Sequence, residues 1–178
     1  MIYLKNFKSN KKGLLNIKNK DDKCFMWCNI AYLFPTTSKN KNRLSKYINH
    51  ENDIDYTGIS FPVTLNQIDK IEKLNEINFN IITLDDKEKY IIPLYISNNN
   101  YDKICDMLLI RKVIDNIIKS RYVLITDLSK LLSNQNKARK KLHYCRKCLQ
   151  HFYTIEKLND IKFHSLQNRA QNLFIVLQ

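Results

Sequence analysis

"DDKCFMWCNIAYLFP", residues 21–35, is the stretch on which the fold turns. The acidic pair Asp21 and Asp22 offers acceptors for the orphan amides of a helix start. Phe25, Trp27, Cys28, Ala31 and Leu33 give a wide apolar face, and Pro35 ends the run because it has no amide for another turn. A buried helix beginning near Cys24 is therefore predicted, and the rest of the chain must supply what covers it.

Ahead of that helix, "GLLNIKN" (13–19) fits a short strand. Behind it, "TTSKNKNRLSKYINHENDID" (36–55) is a polar connection with a short helix around Leu44 to Ile48. Thr64 and Gln67 stand at capping-box spacing, and Leu65, Ile68, Ile71 and Leu74 recur at helical intervals, so a second helix should run to about Glu76. "INFNIITLDDKEKYIIPLYIS" (77–97) gives two antiparallel strands around an acidic turn, with Pro93 suited to an edge because it donates no ladder hydrogen bond. "ICDMLLI" (104–110) is a third strand candidate, although a helix from Tyr101 fits its period almost as well. "RYVLITDL" (121–128) is rich in branched and aromatic residues and reads as a strand, followed by a short helix and loop in "SKLLSNQNK" (129–137). The expected architecture is α+β: a small antiparallel sheet packed on the Cys24 helix over residues 14–134. A basic arm (1–13) precedes it, and a basic linker with a finger-like hairpin and helix (135–178) follows.

The chain has 178 residues and a formal net charge of +13, from 30 Lys and Arg against 17 Asp and Glu. So basic a surface attracts polyanions, and nucleic acid is the partner it suggests. The charge is concentrated: residues 1–20 hold six lysines and residues 137–147 six Lys or Arg, neither with an acid. The bland alternative is lysine scattered by codon bias, since Lys, Asn and Ile are all abundant and Gly numbers only 2. Five cysteines with one C-x-x-C pair do not form a disulfide framework, no apolar run approaches the roughly 20 residues of a membrane span, and no secretory signal stands at the start. An intracellular, reducing location is expected, and the nucleus is compatible with it.

"HYCRKCLQHFYTIEKLNDIKFH" (143–164) has the outline of a C2H2 finger. Cys145 and Cys148 supply the first two ligands, and Phe152 and Leu158 occupy its small core positions. The third ligand position is Ile161, and His164 is the nearest replacement. The pattern is a degenerate zinc site of Cys145, Cys148 and His164, and the plainer alternative is a hairpin with two reduced thiols and no cofactor. Around it Lys137, Arg139, Lys140, Lys141, Arg146 and Lys147 can neutralise phosphates, and Tyr144 can stack on a base, which predicts salt-sensitive binding with little sequence preference.

The order "KCFMWCNIAYLFP", "NRLSKYINHENDIDYTGISFPV", "IEKLNEINFNII", "PLYIS", "MLLI", "RYVLITDLSKLLSNQNK" and "HYCRKCLQHF" resembles the amino-terminal region of open reading frames in Maverick (Polinton) transposons, over roughly residues 23–160. There the region lies ahead of a protein-primed family-B DNA polymerase. The resemblance implies a transposon-derived accessory domain; no paired metal-binding aspartates in polymerase context are visible, so polymerisation is not expected. The tail "SLQNRAQNLFIVLQ" departs from that family's continuation, as in a truncated copy or an inert relic.

A cysteine in the first turn of a helix is also how papain-like and ovarian-tumour-type peptidases present their nucleophile, because the helix N-terminus lowers a thiol pKa. Such an enzyme, acting on ubiquitin-like or viral polypeptides, is the rival reading, with Cys24 as nucleophile. The resemblance puts a histidine where this chain has Arg121, and arginine cannot act as a general base. A pseudoenzyme is then expected, unless His50 or another distant histidine substitutes.

Overall fold

In the computed structural model, residues 13–84, 91–114, 116–132 and 142–160 are described. In chain order they form β1 (Leu14–Leu15), α1 (Cys24–Leu33), α2 (Ile68–Asn75), β2 (Ile77–Leu84), β3 (Ile91–Ile96), β4 (Lys103–Ile114), β5 (Ile117–Ile125), α3 (Leu128–Leu132), β6 (His143–Tyr144) and β7 (His151–Phe152). Short 3-10 turns at Leu44–Lys46 and Ile48–Asp53 carry the connection behind α1.

α1 begins at the expected residue but is capped differently. Asp21 reaches no amide inside the helix; it accepts from the Lys23 backbone N–H and from the Trp27 indole, stapling the preceding turn to the helix side. The helix is also buried all round rather than on one face, from Cys24 to Ala31. The sheet covers one side, and Ile17, Tyr47, Ile54 and Val63 from the flanking loops cover the other. Full burial of side chains the size of Trp27, Phe25 and Ile30 contributes about 1.5–3 kcal/mol each, which makes this helix the anchor of the fold.

The capping box forms as its spacing predicts, through Thr64 and Gln67, and α2 ends on Glu76 in the left-handed conformation at φ 53°. Glu72 of α2 is fully buried, and its carboxylate accepts from the Phe79 backbone N–H, the Tyr95 hydroxyl and the Asn99 amide, which fastens α2 to the sheet edge.

The five-stranded sheet runs β1-β5-β4-β2-β3 and is mixed, not antiparallel: β2 and β4 pair in parallel from Ile77–Lys103 to Thr83–Leu109. The reason lies in the second face of β2. Its alternation Ile-Asn-Phe-Asn-Ile sends Ile77, Phe79 and Ile81 to the α1 side, and Asn78 and Asn80 to the other. There Asn78 holds Ser97 and the Tyr101 carbonyl, so the chain leaving β3 crosses over β2 and returns on its far side. β3 takes the edge, and Pro93 lies on it as its chemistry requires.

Two apolar layers result. Cys105, Met107, Leu109, Tyr122 and Leu124 face α1, while Ile82, Leu108, Val123 and Ile125 face α3 and the β6–β7 hairpin. Leu142 and Tyr144 belong to this second layer, so the hairpin packs on the sheet. No helix among the described residues is long and apolar enough to cross a membrane.

Candidate functional site

Cys24 and Arg121 share one cleft of about 760 Å³, lined also by Lys18, Lys20, Asp21, Asp22 and Lys119. The first turn of α1 lies against β5 so closely that the Tyr122 backbone N–H donates to Cys24 Sγ at 3.4 Å, while the Cys28 thiol donates to the Tyr122 carbonyl at 3.5 Å. The two cysteines, one helical turn apart, thus satisfy both backbone groups of a residue on the outer side of β5, beyond the short pairing with β1. That is a structural use of i, i+4 spacing.

Burial pushes the Cys24 thiol above its ordinary pKa, and the Tyr122 N–H and the nearby Arg121 charge pull it only part of the way back. Cys28 is pushed further up by complete burial. Arg121 is not free to meet a substrate anion: its guanidinium donates to Asn16 Oδ1 at 2.7 Å, to Asn19 Oδ1 at 2.7 Å and to the Ile17 carbonyl. It holds the N-terminal segment onto β5. His50 stacks on Phe34 with ring centroids 3.9 Å apart and binds Asp53. Since Phe34 is ten residues from Cys24, it stands about 15 Å along the helix axis from the thiol. Among the described residues no histidine lines the cleft.

What the cleft does present is charge. Lys18, Lys20 and Lys119 are exposed, and none has a carboxylate at ion-pair distance among the described residues. Lys18 is bridged to Arg43, which brings a further cation alongside. Against these stand Asp22 and Asp21. Burial pushes the Asp21 carboxyl up, but its donors Asn19, Trp27 and Lys23 outweigh that and hold it below the usual carboxylate range. The acid-free run of residues 1–20 is the sequence signal for Lys18 and Lys20; Lys119 had no such signal.

The finger-like segment is a β6–β7 hairpin whose turn carries Cys145, buried, and Cys148, exposed, with residues 155–160 helical after it. The turn is closed by Cys145 N–H to the Gln150 carbonyl and Leu149 N–H to the Cys145 carbonyl, both 2.9 Å. The two thiols are hydrogen-bonded neighbours, and burial with that contact holds the Cys148 thiol above its ordinary pKa. They supply half of a tetrahedral ligand set. No group of three metal-ligating side chains occurs among the described residues, and His164 lies outside them.

Of the cations expected around this turn, Lys137, Arg139, Lys140 and Lys141 also lie outside the described residues, and Lys147 is exposed. Arg146 instead pairs with Asp106 at 3.2 Å on the second face of the sheet, where Asn80 donates to the same carboxyl at 2.9 Å. Burial pushes the Asp106 carboxyl up, with Arg146 and Asn80 opposing it. Tyr144 is buried in the second layer, so its ring face is turned to the protein rather than to solvent. No family model, curated protein or solved structure matches the chain.

Proposed function

We propose that this chain is a nucleic-acid-associated accessory domain, related to the transposon polymerase open reading frames it resembles, that binds DNA or RNA mainly through charge and does not itself polymerise. The observation that carries the reading is the set of ammonium groups, Lys18, Lys20 and Lys119, around one cleft on a chain of net charge +13, none with a carboxylate at ion-pair distance among the described residues. Lys147, exposed on the hairpin, and in the sequence ahead of it Lys137, Arg139, Lys140 and Lys141 add to the same charge. Lysine ammonium groups on phosphates neutralise charge without reading bases, so binding is expected to be tolerant of sequence and steep in salt. Zinc at Cys145, Cys148 and His164 would stiffen the hairpin, and nothing in the binding step depends on it.

The test is a titration of affinity for a DNA strand against salt. A linear fall in log affinity with log salt is expected, and Lys18→Glu with Lys20→Glu should flatten the slope by about 1–2. A flat response, or no binding at about 50 mM salt, overturns the proposal.

A second reading has one observation in its favour: Cys24, the first residue of α1, and the β5 residue Arg121 line the same cleft. It would make the chain a peptidase-like domain for ubiquitin-like or viral polypeptides, inactive for want of the histidine. A thiol-reactive ubiquitin probe that labels Arg121→His but not its Cys24→Ala derivative would favour it, and labelling of neither removes it.

A further inference from the structure

Residues 145–149 make one closed turn between β6 and β7. The Cys145 N–H donates to the Gln150 carbonyl and the Leu149 N–H to the Cys145 carbonyl, both at 2.9 Å, and Leu149 reverses the chain in the left-handed conformation at φ 60°. The turn is also fastened to the body, since Leu149 packs on the second apolar layer and Arg146 pairs with Asp106. The first and fourth residues of such a turn have Cα atoms less than about 7 Å apart, which overlaps the roughly 4.4–6.8 Å that a disulfide spans. Those residues are Cys145 and Cys148, and their thiols are in hydrogen-bond contact.

The other cysteines are differently engaged. Cys24 and Cys28 each hold one backbone group of Tyr122, and Cys105 is fully buried in the first layer. At the hairpin a thiol that meets solvent, Cys148, touches one that is enclosed, Cys145. Thiol–disulfide exchange needs that arrangement: an open sulfur to attack an incoming disulfide, and a sheltered one beside it to resolve the product.

We propose that Cys145 and Cys148 form a redox-active dithiol that exchanges with low-molecular-weight disulfides. The Cys148 thiolate attacks one sulfur of the small disulfide, whose S–S bond breaks; one small thiolate leaves, and Cys148 is held in a mixed disulfide. The Cys145 thiolate then attacks Cys148 Sγ, the mixed bond breaks, the second small thiolate leaves and the Cys145–Cys148 bond forms. The two protons lost by the cysteines are taken up by the two departing thiolates. The pair is thus oxidised by two electrons, and the small disulfide is reduced to two thiols. Excess small thiol runs the same steps backwards, and a metal on the same sulfurs would block both.

The experiment places the full chain in a metal chelator with rising oxidised glutathione, at about 1 mM reduced glutathione, the scale of effective concentration that a flexible linker gives. Free thiols are alkylated and the tryptic peptides are mapped. Trypsin cuts after Arg146 and Lys147, so residues 142–146 and 148–157 stay together only if Cys145 and Cys148 are bonded. Touching thiols exceed the effective concentration of a flexible linker. Half of the parent should therefore be oxidised at about ten-fold less oxidised glutathione, or lower, than half-caps Cys148 in Cys145→Ser. Cys148→Ser, changed at an exposed position, should fold as the parent does and keep Cys145 reduced at the concentration that oxidises the parent. If Cys145→Ser disturbs the hairpin by circular dichroism, the joined peptides of the parent and their loss in Cys148→Ser decide the matter. Peptides that stay separate at every ratio overturn the proposal. So does a parent capped on Cys148 as readily as Cys145→Ser, or a bond from Cys148 to a second copy or to Cys24, Cys28 or Cys105. No readout involves nucleic acid, so failure here leaves the polyanion proposal standing.

Discussion

Cys24, Cys28 and Cys105 lie buried in the helix-and-sheet body, among aromatic and aliphatic neighbours, whereas Cys145 and Cys148 sit on a tight turn with Cys148 open to solvent. The body has its own apolar layer around α1. The β6–β7 hairpin has almost none, and takes its order from Leu142 and Tyr144 on the second face of the sheet and from the Asp106–Arg146 pair. The same residue type is therefore packing material in one region and surface chemistry in the other. The hairpin's order therefore rests on its contacts with the body.

The largest expected effect breaks the body. Trp27→Ala removes the largest of the fully buried side chains of the first layer and the indole that Asp21 accepts from, at a cost of about 3–5 kcal/mol. Urea unfolding should show the midpoint falling steeply. Hydrogen exchange should show residues 142–152 losing protection together with β5; protection that survived there would make the hairpin an independent unit.

Arg146→Ala tests the tether. It leaves Asp106 buried without its counter-charge, at a cost of about 1–3 kcal/mol because Arg146 is itself half exposed. Asp106→Asn keeps the contact with Asn80 and removes the buried charge, so it should leave body stability nearly unchanged. Both variants should raise exchange in the hairpin more than in β2.

Acidification should do the same reversibly. Burial raises the Asp106 pKa, so ionised Asp106 weighs against the fold at neutral pH. As pH falls through the folded-state pKa toward the ordinary carboxylate value, that penalty is relieved while the attraction to Arg146 is lost. In that window the hairpin should exchange faster although Asp106 no longer opposes the fold. Equal behaviour of hairpin and β2 on lowering pH would contradict the tether.

A smaller effect separates structure from chemistry at Cys24. Cys24→Ala strands the Tyr122 N–H and should cost about 1–2 kcal/mol, while Cys24→Ser, which restores an acceptor, should recover part of it. The least perturbing measurement is the order of thiol alkylation in the native protein. Cys148 should react first, Cys24 far later, and Cys28 and Cys105 only on unfolding.

The elements legible in the sequence are those fixed by neighbours along the chain. The Cys24–Leu33 helix, the Thr64–Gln67 box, the β2–β3 hairpin and the edge position of Pro93 all follow from local patterns. The parallel β2–β4 pairing was not legible, because it depends on Asn78 seizing the loop near Tyr101, a contact across 23 residues. Nor was the all-round burial of α1, which needs Ile17 and Tyr47 to close over it. Arg146 looked like a phosphate contact because its partner Asp106 lies forty residues away on the middle strand, and Lys119 became visible only when the cleft brought it beside Lys18. Charge runs announce a partner class; which cations remain available is decided by tertiary pairing.

The pairing of Leu14 and Leu15 with Leu124 and Ile125 has a consequence for biosynthesis. β1 finds its partner only after more than a hundred further residues have emerged from the ribosome, and the thiols of α1 must wait nearly as long for the Tyr122 backbone they hold. Such distant closure is slow, so the nascent chain carries the aromatic surface of α1 uncovered until β5 has emerged, a natural opening for chaperones that recognise apolar segments.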